Sequence, residues 1–262
     1  MSFTGKSPGN TYKDILYVNN NNTGVDSTAR IVNSGDGTAS ALSVSDRSLY
    51  VTPNTDNTTT LSVRNSDGRT KFVVDTTNDT VKALGQYVNT QYAYFGQNVT
   101  STAAHAAGYH YPLQFGHGTV PIIADAPNGF GNGSDPALTL TMSDAADARA
   151  SEYVAYFWYV NDNITIDSVK SLEGADAATG DTNRYHLMSY TFASGNTTPL
   201  SAGGIVARTA DITNAGCEQP YLTTFSLENA DVDAGQVVMA FFENDTINSD
   251  YSCQVIVKYH LR

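Results

Sequence analysis

The chain has 262 residues, a formal net charge of −12 and a pI near 4.6, with only 15% of its residues charged. Too few Lys and Arg are present to displace counterions from phosphates, so nucleic acid is excluded as a partner, as is attraction to anionic lipid. Of the 26 acidic residues five are Glu; Thr, Asn, Asp, Gly and Tyr dominate instead, a strand-and-turn composition that argues against a helical protein.

The first 40 residues are polar and turn-rich, with Asn19 to Asn22 in a run and one short strand expected over Tyr12–Val18. Their composition fits an attachment arm, ordered when docked, or a frayed tail. The opening Met1-Ser2-Phe3-Thr4-Gly5-Lys6 lacks the apolar stretch of a secretory signal, so synthesis in the cytoplasm is expected, and no apolar run is long enough to span a bilayer. Residues 41–96 change character. Ala41–Ser45, Ser48–Thr52, Thr60–Arg64, Lys71–Asp75 and Thr80–Gly85 alternate apolar and polar side chains, and turn signals such as Asn65-Ser66-Asp67-Gly68 separate them. A Leu-x-Val element recurs at Leu42/Val44 and Leu61/Val63. Strands this short cannot form a core alone, so they are expected to stack on identical chains.

Residues 97–150 read as a connector with a few strands, broken by Pro112, Pro121, Pro127 and Pro136. Residues 151–262 read as a compact β domain of about seven strands separated by Gly, Asn and Asp turns. Tyr153–Val160, nearly all apolar, is expected to be a strand covered on both faces. The fold class is therefore all-β: an extended arm, a short-strand shaft and a jelly-roll-like β-sandwich.

The strings Thr60–Gly68, Phe72–Asp75 and Val81–Gly85 resemble shaft segments of tailed-bacteriophage fibres, in which three chains wrap around one axis with short strands facing inward. Gly5–Leu16, followed by Asn21–Asp26, is similar to the start of virion appendage proteins of marine phages, and the closing domain is similar to their C-terminal part. The resemblance covers about the first 95 residues most clearly. It implies a non-enzymatic homotrimer on the virion exterior, with Leu42, Val44, Leu61, Val63, Phe72 and Val74 as its axial core. The arm would join other virion proteins, and the head would meet a host surface glycan or protein. A capsid decoration protein is the alternative location; a carbohydrate-binding module or a polysaccharide depolymerase would be alternatives of another class.

Chemistry is sparse. No nucleophile elbow, Cys/His arrangement or phosphate loop occurs, and no cofactor is expected. His105, His110 and His117 are spaced unlike zinc ligands; His110 and His117 remain candidates for an ion on a threefold axis. Asp176, Asp181, Asp245 and Asp250 lie on short acidic loops able to offer oxygens to calcium, although Asp in turns ordinarily caps backbone groups. Cys217 and Cys253 are expected as buried free thiols, with a single bridge as the alternative.

Overall fold

The computed structural model describes residues 13–21, 23–99, 107–116, 129–142, 150–176, 179–215, 219–245 and 250–262. The protein is all-β, with two small four-stranded antiparallel sheets followed by one large, nearly closed, barrel-like antiparallel sheet. The chain divides into two compact units at Val88/Asn89.

In the first unit, β1 (Leu16–Val18), β2 (Arg30–Ser34), β3 (Ala39–Val44) and β4 (Leu49–Val51) form one meander. β5 (Leu61–Arg64), β6 (Thr70–Asp75), β7 (Thr80–Ala83) and β8 (Gln86–Tyr87) form another. Strand β2 was not expected within the polar opening. Its Ile31 and Val32 are too few to stand out against that background. Local chemistry sets the hairpins. Asn65 accepts from Gly68 N through its carbonyl and from Arg69 N through Oδ1, which turns β5 into β6. Leu84 and Gly85, with φ of 52° and 82°, make the two-residue turn from β7 to β8 that the strand twist favours. Register then places Leu61 opposite Val74 and Val74 opposite Val81, with Val63 opposite Phe72 and Phe72 opposite Ala83, giving one apolar face. Leu42 and Val44 likewise face Val51 and Leu49. The repeated Leu-x-Val falls in the third strand of the first meander but the first strand of the second.

The second unit contains β9 (Thr90–Val99), β10 (Tyr111–Phe115), a single helical turn α1 (Ala150–Tyr153) and a 3-10 turn (Val154–Tyr156). It continues with β11 (Trp158–Tyr159), β12 (Ile164–Asp176), β13 (Thr182–Phe192), β14 (Leu200–Arg208) and β15 (Ile212–Thr213). β16 (Gln219–Thr224), β17 (Ser226–Leu227), β18 (Asp231–Val232), β19 (Gln236–Asn244) and β20 (Asp250–Leu261) complete it. The strand order is β16-β12-β20-β9-β10-β19-β13-β14-β17, with β11, β15 and β18 attached to β19, β13 and β12. The two ends of this path are consecutive in sequence. Only Phe225 separates β16, paired with β12, from β17, paired with β14, and its buried side chain packs on Tyr185 at that corner. β10 makes the other corner by pairing with both β9 and β19.

The expected strand over Tyr153–Val160 is instead a helical turn, a 3-10 turn and two strand residues. Its apolar run has a different cause: Tyr153 and Tyr156 pack down on the outer face of β13 and β19 as part of an excursion between β10 and β11. That excursion also brings Phe130 and Leu140 over Met188, Tyr190, Met239 and Phe241, creating a second core. The first core lies between the two halves of the large sheet, around Phe95, Leu113, Ile166, Tyr185, Val255 and Phe242. β19 is buried on both faces, with Val238, Ala240 and Phe242 in one core and Val237, Met239 and Phe241 in the other, and β13 likewise places Tyr185 and Leu187 in the first core and Met188 and Tyr190 in the second.

Gly203 permits the close approach of this excursion. A Cβ there would lie 2.5 Å from the Tyr190 ring and 3.0 Å from Leu138 Cα, whereas at Gly204 the nearest atom is 4.0 Å away. Gly203→Ala is expected to lower the stability of the second unit by about 1–3 kcal/mol, with Gly204→Ala close to neutral. Thermal melts followed by Trp158, the chain's one tryptophan, check this for the second unit alone.

Candidate functional site

Several strand ends meet at one pole of the second unit, since Asp176 pairs with Asp250, Tyr251 with Val99, Ala175 with Gln219 and Asn183 with Asn244. The acidic residues singled out from sequence are at this pole. Asp245 is already engaged: Oδ1 accepts from Thr182 N at 2.9 Å and Oδ2 from the Thr182 hydroxyl at 2.8 Å. The Asp181 carbonyl accepts from Asn214 N at 2.9 Å and from Asn214 Nδ2 at 3.2 Å, stitching one link to another. Asp176 and Asp250 stand opposite each other at the end of β12 and the start of β20. Among the described residues, no three His, Cys, Asp or Glu side chains come together so as to hold a metal ion. His105, His117 and Cys217 lie outside the described residues.

His110 and His186, far apart in sequence, form a buried pair. Their rings meet edge to face with centroids 5.0 Å apart. His110 Nε2 donates to Gly133 O at 3.0 Å, and His186 Nε2 lies 3.3 Å from Asp135 Oδ1. Asp135 is shared with Arg208 Nη1 at 3.1 Å, and Arg208 Nε reaches Glu228 Oε1 at 2.6 Å. Next along the outer face of β13, Arg184 bridges Glu243 at 2.9 Å and Asp211 at 3.0 Å. The pair thus ties residues 133–135 of the excursion to β13. Both rings are sealed from solvent, so neither presents itself to a substrate. Sequence inspection picked out His110 but not His186 or Asp135. Nothing local marks them, because only the pairing of β13 with β19 and the folding back of the excursion bring them together.

A second polar group sits between the two halves of the large sheet. Glu173 Oε2 accepts from Asn183 Nδ2 at 2.8 Å and lies 2.5 Å from the Tyr185 hydroxyl, which is 3.1 Å from Cys253 Sγ. Cys253 is a buried free thiol. Burial pushes the Glu173 carboxyl, the Cys253 thiol and the Tyr185 phenol all up, holding the thiol protonated and unreactive. The hydroxyl of Tyr190, in the outer core, donates to Ala137 O at 2.9 Å and anchors the excursion there. No protein-family model matches the chain, and no curated protein matches it.

Burial, reinforced by the neighbouring His110 and Arg184 and opposed by Asp135, lowers His186 from its ordinary 6.5 to about 4. Burial also lowers His110. Between about pH 6.5 and 4 the unfolded chain therefore binds protons here that the folded protein refuses. The stability this represents is present above pH 6.5 and is lost as pH falls toward 4. Glu173, raised by burial, acts in the opposite sense, so its contribution declines as pH rises above 4.5. His186→Gln keeps an N–H for Asp135 and removes the titration. The fall in melting temperature between pH 7 and pH 4.5, read at Trp158, is expected to be smaller in the variant by about 5 °C; parallel curves would show that the pair does not carry the pH dependence.

Proposed function

We propose that the chain is a non-enzymatic structural component of a tailed-phage virion, a homotrimeric, fibre-like appendage on its exterior. In this reading it is made in the host cytoplasm, joins other virion proteins through its N-terminal arm, and presents the second unit as a head to a host surface glycan or protein. One observation carries the proposal. Among the described residues, none of the buried hydrophobic ones precedes Ala93, although the first unit is folded into eight strands. Leu42, Leu61 and Val63 are exposed in the single chain, and Val44, Phe72 and Val74 are half-buried. Two four-stranded meanders whose apolar faces stay open to water need something to cover those faces. Identical chains wound about an axis cover such faces symmetrically, and many contacts at about 25 cal/mol per Å² make the result hard to dismantle.

The winding of the second unit supports its reading as a jelly-roll head. Taking its eight main strands in chain order as β9, β10, β12, β13, β14, β16, β19 and β20, they lie 1-8-3-6 in one half of the sheet and 2-7-4-5 in the other. Two Greek keys folded together give that order. Three such heads on one stalk would turn weak individual contacts into strong attachment.

Light scattering on the full chain is expected to give three times 28.0 kDa. A monomer at micromolar concentration would rule the proposal out. Replacing Val63 and Phe72 by Asp should make residues 13–88 sensitive to protease while the second unit persists, as mass spectrometry of the fragments would show.

A further inference from the structure

The two outer faces of the large sheet differ. Residues 129–142 and 150–157 of the excursion cover β13 and β19. Across the molecule, β16, β12, β20 and β9 turn a mixed face outward, on which Tyr92, Tyr94, Ile256, Leu172 and Leu222 lie in adjoining rows among Gln254, Ser168 and Thr224. Gly96, Gln254, Leu172 and Leu222 stand side by side in register, and Tyr94, Ile256 and Lys170 form the next row. Leu222 is 65% exposed, Tyr92 53% and Leu172 44%, values that belong to an uncovered surface and not to a core.

Charge distinguishes this face further. The chain has 26 acidic residues, yet those of the four strands lie at the ends, in the interior or at the margin. Asp250 opens β20 and Asp176 closes β12; Glu173 is buried between the two halves of the large sheet, and Asp167 sits in the β12 bulge, where it engages His260 Nδ1 at 3.0 Å. The charged residues left on the face are Lys170 and Lys258. Two copies of a chain carrying −12 repel each other least through a surface whose centre holds no carboxylate. A charge-depleted, Tyr-containing centre is also the composition of an interface core. Four strands about 4.8 Å apart and about eight residues long at about 3.4 Å each give roughly 500 Å² of sheet. Side-chain relief brings the accessible area toward the ~800 Å² that each partner of a stable complex buries.

We propose that the outer face of β16-β12-β20-β9 is the surface through which the second units of three copies pack about a common axis. The inference rests on the trimeric reading above and adds which surface of the head lies inside the assembly. The test is amine acetylation of the full-length protein, read by mass spectrometry at Lys170 and Lys258 and compared with the urea-unfolded chain, alongside light scattering. A trimer with both lysines slowed about tenfold, and with labelling restored in a folded Leu172→Glu/Leu222→Glu variant, is the expected result, because a packed interface excludes solvent from its centre. A trimer whose lysines react at the rate of the exposed Lys13 would overturn this inference and leave the trimeric reading standing. A 28.0 kDa monomer would remove both. Should the variant not fold, as circular dichroism would reveal, the wild-type labelling decides alone.

Discussion

Every apolar strand face has to be covered by something, and the two units of this chain meet that requirement by different means. In the second unit the chain supplies its own cover. Two halves of one sheet close on each other around Phe95, Tyr185 and Phe242, and an excursion folds back over the outside of β13 and β19. In the first unit the faces form, with Leu61, Val63, Phe72 and Val74 in register, but among the described residues no buried apolar one results. The difference is one of sequence distance. Hairpins a few residues long bring neighbours together edge to edge, which orders a sheet without giving it a second layer. The long return paths of the second unit lay sheet upon sheet.

Polar groups follow the same division. In the first unit, Asp and Asn serve turns: Asp75 accepts from Thr77 N and Asn78 N, and Asp26 is held down to about 2 chiefly by Arg30. In the second unit they are drawn inside. Glu173, Asn183, Tyr185 and Cys253 make a hydrogen-bonded group between the two halves of the large sheet, and His110, His186 and Asp135 fasten the excursion. A buried network of this kind adds little net stability but penalises alternative packings, because displacing any member strands another in an apolar setting.

The extent to which the fold was legible in the sequence tracks locality. β5, β6 and β7 were readable almost to the residue, since alternation and turn chemistry are written into five-residue windows. The all-β class followed from composition. Tyr153–Val160 was misread because an apolar run marks burial without saying in what conformation, and its aromatic side chains are buried from a turn. Among the candidate ligands, Asp245 proved to cap Thr182, a role its place in a turn already suggested. His186 carried no local signal at all, as its partner Asp135 reaches it only through the folded excursion.

The second unit begins where β20 ends: Asn89 Nδ2 donates to Leu261 O at 2.8 Å, at the pole opposite the acidic links. This arrangement has a mechanical consequence. A pull arriving at Asn89 and resisted at the far pole runs lengthwise along β9, whose residues Thr90 to Val99 all pair with β20. The rungs of that ladder then carry the load together, in shear, where a pull across the strands would open them one at a time.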